Sequence, residues 1–390
     1  MKKRIARYVK HITVTILFLA LSAIAFGLYH GASLHYGDHP SRMNLDKEGP
    51  YVFYENDSTL SVKYLRGNKK DGFYTATKSY ALNEAIPGSC YFPLEDTTFD
   101  FTIDATLETP QTVYNDGNPI LAISDIESGY KTFRDFLMQH QVIDTDLNWT
   151  FGKGHLVLVG DFVDRGFSTT QVLWFVYKLE QEAKNHGGLV HFIIGNHELK
   201  NMQAKFGAAS QKYLGVSAIL GKQQHDLYSQ ESFLGKWLAS KNAIEKINGH
   251  IFVHGGIHPE VAELGLSLEE INTISRNHYY TAYFPKPQKT TAQLITSTRK
   301  GISWYRGYFR EDLSQVQIDS QLEIFNAKSV VVGHTLQSKV KSFFNGKIIG
   351  IDVKHPKDYN KSWPNSQSEG LLIENDVMFR LLHDGTKTAL

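Results

Sequence analysis

From about residue 119 onward the chain repeats one device. Runs of strand length, 120–123, 156–159 and 189–194, alternate with longer stretches whose apolar residues recur at helical spacing. Tyr130, Phe133, Phe136 and Leu137 mark the first such stretch, and Val172, Leu173, Val176 and Leu179 the second. This β-α-β-α-β order predicts an α/β layered core. Later apolar runs at 251–253, 330–332 and 348–351 continue it. Each run stops abruptly in polar residues: Asp125 and Glu127, Asp161, Asn196, His254, a Gly-His pair at His334, and Asp352.

The flanking segments read differently. Residues 51–104 carry short alternating stretches, YVFYE, LSVKYL and FYTAT, broken by NDS and RGNKKDG turns, which predict a small all-β domain over 51–115. The NDGNP turn at 115–119 marks a boundary, so 116–390 is expected to be the main domain. Within it, 200–247 is helical in composition, a candidate cap, and 278–300 reads as a long loop region. Residues 12–29 hold no charge and follow the basic stretch MKKRIARYVKH. That length suits a membrane span, about 17–25 residues. Residues 1–30 are therefore expected to be a signal anchor or, given the small-residue Ala23-Ile24-Ala25 pattern, a cleaved signal peptide. Residues 31–50 read as a linker. The basic flank places the body on the extracytoplasmic, periplasmic side.

Composition excludes little. At 42% hydrophobic and 21% charged the chain is globular rather than disordered. A net charge of +1 gives no electrostatic case for nucleic acid. The single Cys90 excludes an internal disulfide and a Cys-rich metal site, and its PGSCYFP setting is that of a structural thiol.

The polar strand ends carry the chemistry, because open α/β sheets gather ligands outside the carboxyl ends of their strands. Carboxylate, amide and imidazole donors suit divalent metals. Asp125, Glu127, Asp161, Asn196, His254 and His334 are the candidate ligands, with Asp161 as the bridge between two ions. Two such ions can clamp a phosphoryl group and supply hydroxide near neutral pH. Arg165 offers a planar fork for phosphate oxygens. His197, beside Asn196, is the candidate general acid, and Asp164 its orienting partner.

GDFVDRG (160–166), GNHE (195–198), VHGG (253–256) and GHT (333–335), with Asp125, resemble the calcineurin-like metallophosphoesterases, phosphoprotein phosphatase branch. NHELKNM, GKWLASKNAIEKINGHIFVHGGIHP and SWYRGY are similar to the Shewanella-like protein phosphatases. The resemblance spans about 119–355. It implies a β-sandwich flanked by helices, the six metal positions above, Arg165 and Arg306 as phosphate-binding arginines, and His197 with Asp164 as the acid pair. It implies hydrolysis of a phosphorylated protein or a small phosphomonoester with two divalent ions. Mn is the first expectation, with Fe, Zn or Mg as alternatives. Two positions depart from the family pattern. Glu127 stands where the family carries histidine, and Asp352-Val353-Lys354-His355 replaces a stretch that usually carries glycine. The first departure leaves room for a catalytically weakened binding protein. A nucleotide or diester hydrolase is the third possibility. His191, His250 and His258 fall off the motif pattern and are expected to be structural or on the surface.

Overall fold

The computed structural model describes residues 2–29, 43–287, 290–310, 313–359 and 366–390. Most of the expected linker, 31–42, lies outside the described residues. Lys2–Tyr29 is one continuous helix with no buried residue, long and apolar enough to cross a membrane.

Strands β1 (Tyr51–Asn56), β2 (Thr59–Asn68) and β3 (Gly72–Ala81) form an antiparallel sheet, and β4 (Ile86–Phe92) with β5 (Thr97–Ile103) a hairpin. After them come β6 (Val113–Tyr114), β7 (Ile120–Ile123), β8 (His155–Leu158) and β9 (Leu189–Phe192). Next are β10 (Ile244–Ile247), β11 (His250–Val253), β12 (Ser329–Val332), β13 (Lys341–Phe343) and β14 (Ile348–Gly350). The chain closes with β15 (Glu369–Glu374), β16 (Val377–Leu382) and β17 (Lys387–Ala389). Twelve of these build two six-stranded sheets, β13-β14-β12-β11-β10-β6 and β17-β16-β15-β7-β8-β9.

The two sheets face each other as a sandwich. Ile120, Ala122, Val157, Val159, Phe252, Val331 and Ile349 fill the layer between them. Their chain neighbours Leu121, Ile123, Leu156, Leu158, Ile251, Val253, Val330, Val332 and Ile348 point the other way, into a second core shared with the helices. Both faces of these strands are thus buried, which is why they read as unbroken apolar runs rather than alternating ones. The layers are also linked by polar groups. His155 Nδ1 lies 2.8 Å from His191 Nε2, whose Nδ1 lies 2.6 Å from Glu245 on the facing sheet.

β7, β8 and β9 run parallel in one sheet, and β11, β12 and β14 run parallel in the other. Three carboxyl ends from each sheet therefore reach the same edge of the sandwich.

Helix Thr169–Asn185 is buried on nearly every side. One side meets β9, and the N-terminal strands cover the other. Trp174 stacks on Phe101 and donates its indole N–H to the Pro50 carbonyl at 2.8 Å, while Phe99 packs edge-on to Phe175. Residues of β1–β5 belong to the same continuous core as this helix. A second attachment is polar and fully buried: Glu48 Oε2 lies 2.9 Å from Lys212 Nζ, which also donates to the Phe167 carbonyl at 2.8 Å. Cys90 is wholly buried in β4, and burial pushes its thiol pKa up, as a structural cysteine requires.

Candidate active site

Apart from Arg306, each functional side chain sits on the turn, or in the first helical turn, after a parallel strand. These turns are sharp. Asp125, Glu127, Ser128, Asp161, Asp164, Arg165 and His334 all hold positive φ, between 50° and 70°. A left-handed backbone costs an L-residue about 1–2 kcal/mol, so seven in one place mark a site where geometry is held against local preference. Cross-turn bonds do the holding. Asp125 N–H donates to the Gly160 carbonyl, Glu127 N–H to that of Asp161, and Ser128 N–H to that of Phe162. Gly160 and Gly195 let the turns touch. A Cβ on Gly160 would come within 2.6 Å of His254 Nδ1, and one on Gly195 within 2.5 Å of Asp161 N.

Glu198 fastens the β8 and β9 turns. Its buried carboxylate accepts from the backbone N–H of Asp161 (3.0 Å), Phe162 (2.8 Å) and Gly195 (2.9 Å). Its sequence position three residues after a helix N-cap is the capping-box position, which was the available signal for this role.

Asp161, His254 and His334 present ligand atoms within 4.8 Å of one another. Asn196 joins them: the side-chain atom it turns inward lies 2.7 Å from His334 Nδ1, 3.0 Å from His254 Nε2 and 3.2 Å from Asp161 Oδ2. His254 Nδ1 is tied to the Val159 carbonyl (2.8 Å) and His334 Nε2 to that of Trp304 (3.1 Å), which turns His254 Nε2 and His334 Nδ1 inward. With the Asn196 oxygen inward, as it stands, this is a convergence of acceptors that a cation satisfies. The electrostatics differ between the two rings. Burial pushes the His334 ring down to about 2, with His254 and Arg306 adding to it, so its lone pair stays open. Burial also opposes charge on His254, but Asp161, with Asp125 and the Val159 carbonyl, outweighs it and raises the ring to about 9, a proton that a bound cation would displace. That imidazolium in turn holds Asp161 well below the usual carboxylate range against its own burial.

Asp125 lies beside this group, accepting from the His334 N–H at 3.1 Å. Burial, and after it the charge of Asp352, raises the Asp125 carboxyl well above the normal range. Asp352 is itself raised to about 7, by burial first and then by Asp161 and Glu127.

His197 Nδ1 pairs with Asp164 Oδ2 at 2.7 Å, both buried, and Asn201 donates to the other Asp164 oxygen at 2.8 Å. His197 Nε2 faces the site, 3.1 Å from Arg165 Nη2 and 3.1 Å from Lys200 Nζ. Arg306 donates to the His334 carbonyl and, at 3.3 Å, to Thr335 Oγ1. Asp125, Asp161, Asn196 and His334, with Arg165, Lys200 and Arg306, line a cavity of about 400 Å³, and His197 sits behind Arg165 and Lys200. A larger hollow of about 650 Å³ lies around Asn115, Asn118 and Asn248 at the opposite strand ends, and no such constellation lines it.

The structure thus gathers Asp125, Asp161, Asn196, His254 and His334, with His197, Asp164, Arg165 and Arg306 around them. Glu127 lines the cavity but spends both oxygens on cations, one on Arg165 and the other on Lys357 at 2.9 Å. Lys357, Lys200, Asn201 and Glu198 carry no role in the sequence reading. Lys357 lies 230 positions from Glu127, with no motif to flag it. His191 and His250 are buried away from the site, and His258 caps helix Pro259–Ala262.

A two-sheet sandwich with helices outside and a carboxylate, amide and imidazole cluster at one edge defines a metal-dependent phosphoesterase. Residues 118–338 match the calcineurin-like phosphoesterase family, and the chain belongs to it. It is a phosphoric ester hydrolase. The cold-active protein-tyrosine phosphatase of a psychrophilic Shewanella species shares the fold at TM-score 0.76 and 30% identity, over 88% of this chain and 99% of that one. Shewanella-like protein phosphatase 1 of Plasmodium berghei is 28% identical over 63% of this chain and 70% of its own length. Shewanella-like protein phosphatase 2 of Arabidopsis thaliana is 26% identical over 70% and 80%.

Proposed function

We propose that the chain removes phosphate from phosphorylated protein side chains by direct attack of water at phosphorus. The observation that carries this is the convergence of Asp161, Asn196, His254 and His334 beside the His197–Asp164 pair. Asp161, Asn196, His254 and His334 would hold one divalent ion, and Asp125 with Asp161 would contribute to holding a second. Bound ions of this kind lower the pKa of water and neutralise phosphate charge. Mn is the proposed metal, with Fe, Zn and Mg as alternatives.

The chain's own groups do the rest. Arg165 and Arg306 bind phosphate oxygens, as a guanidinium fork matches two at once. His197 delivers the Nε2 proton to the leaving oxygen, and Asp164 on Nδ1 fixes the ring and steadies its charge. A protein that only bound ligands would have no use for a buried acid–imidazole pair aimed into the cavity. Phosphotyrosine is the first substrate to test, because the Shewanella relative is named for it. The apolar helix Lys2–Tyr29 acts as signal or anchor, with the body on the extracytoplasmic side.

The test is p-nitrophenyl phosphate and phosphotyrosyl-peptide turnover with Mn, Fe, Zn or Mg, run beside Asp161→Asn. Metal-dependent turnover lost in the variant is the expected result. A folded wild-type protein inactive with all four metals would refute the reading.

A further inference from the structure

The position that the family fills with histidine is occupied here by Glu127, and Glu127 is spoken for. One of its oxygens is held by Arg165 and the other by Lys357 at 2.9 Å. To reach a metal it would have to abandon two cations. An ion held by Asp125 and Asp161 would therefore be short of a donor.

Asp352 fills the gap. It follows β14, the third parallel strand of the facing sheet, and lines the same cavity as Asp125 and Asp161. It is 6% exposed, and its carboxylate makes no hydrogen bond to any described residue. A buried carboxylate without a partner costs several kcal/mol, and natural structures avoid it unless something binds there. Asp125 and Asp161 are as buried, at 6% and 2%, and neither pairs with a Lys or Arg among the described residues. Together with Asp352 they place three carboxylates in one cavity, where their mutual repulsion is relieved by protons or by a multivalent cation.

We infer that Asp352, and not Glu127, completes the first metal position, which is then built from Asp125, Asp161 and Asp352. This rests on the dinuclear reading above. The two positions then differ in kind. The first is all carboxylate and favours hard ions such as Mn or Mg. The second has two imidazoles and an amide and admits Zn or Fe as well. Glu127 becomes a positioning residue that aims Arg165 and Lys357 at the substrate phosphate.

The experiment is metal content by mass spectrometry and Mn electron paramagnetic resonance on the full chain loaded with Mn. Wild type, Asp352→Asn, Asp352→Glu and Glu127→Gln are compared, with circular dichroism as the check on folding. The expected result is a coupled Mn pair in wild type, Asp352→Glu and Glu127→Gln. Asp352→Asn should keep a single uncoupled Mn, with affinity at the other position lowered about 100-fold or more, beyond what outer hydrogen-bond partners usually cost. A coupled pair of unchanged affinity in Asp352→Asn overturns the inference, as does loss of one Mn in Glu127→Gln. If Asp352→Asn fails to fold, Glu127→Gln still decides: an uncoupled Mn in that variant overturns the inference. A folded wild type that binds no metal overturns the dinuclear reading itself, which separates the two failures.

Discussion

The Glu48–Lys212 pair gives the sharpest stability prediction. Glu48 and Lys212 side chains are 2% and 1% exposed, 2.9 Å apart, and sealed beneath the N-terminal strands. Glu48 also accepts from Thr170 (2.8 Å), Tyr51 (2.9 Å) and Gln171 (3.2 Å), and Lys212 donates to the Phe167 carbonyl. Lys212→Met keeps the bulk and removes the charge. It strands the Glu48 carboxylate in the core and leaves the Phe167 carbonyl without its ammonium donor. Losing one partner of a buried pair costs about 3–5 kcal/mol, a large share of the roughly 5–15 kcal/mol that holds a folded protein together. Glu48→Gln keeps much of the hydrogen bonding and removes the stranded charge. The double variant should therefore lose less than the two single losses added, by about 0.5–3 kcal/mol. Urea unfolding followed by tryptophan fluorescence measures all four species. Burial lowers the Lys212 pKa, but Glu48, Tyr213 and Cys90 together raise it by more. The pair's contribution is thus complete at neutral pH and falls away only as pH rises through that elevated value. Because Phe167 lies two residues beyond Arg165, KM for a phosphate ester should rise as well. Strict additivity, or a Lys212→Met variant within about 0.5 kcal/mol of wild type, would refute the reasoning.

Three other outcomes follow from the geometry. His197→Asn should lower kcat about 10²–10⁴-fold on poor leaving groups, and far less on p-nitrophenyl phosphate, whose leaving oxygen needs no proton; equal losses on both would count against an acid role. Glu198→Gln places an amide N–H2 against backbone donors and should cost about 2–4 kcal/mol in denaturant unfolding, with weaker metal binding because the Asp161 turn loosens. His250 is pushed down to about 4 by burial and by Lys328, against an unfolded value near 6.5. The unfolded chain then binds a proton the folded chain refuses. Stability should drop by up to about 3 kcal/mol as pH falls from 6.5 to 4, and His250→Gln should flatten that limb in unfolding curves.

The polar cluster at the sandwich edge was legible because of how the sheets are built. Strands covered on both faces leave no reason for polarity until they end, so Asp125, Asp161, Asn196, His254 and His334 stand out against the apolar runs before them. The alternating stretches before residue 104 likewise announced strands. What they pack on was invisible, because the contact of Phe101 with Trp174 is set by tertiary structure, not by local pattern. Glu127 shows the limit most clearly. Its place in the motif suggested a ligand, whereas its cations come from Arg165 and the distant Lys357. Asp352 was visible as a strand end, but its burial and lack of a partner belong to the folded molecule.

Asp161 and Asn196 hang from one sheet of the sandwich, while His254 and His334 hang from the other. An ion held among them is a rivet through two plates. The layers cannot slide or part at that edge without breaking coordination, so loading the site should slow the opening of the whole sandwich, and amides of β8 and β12 far from the cavity should exchange more slowly in the loaded protein.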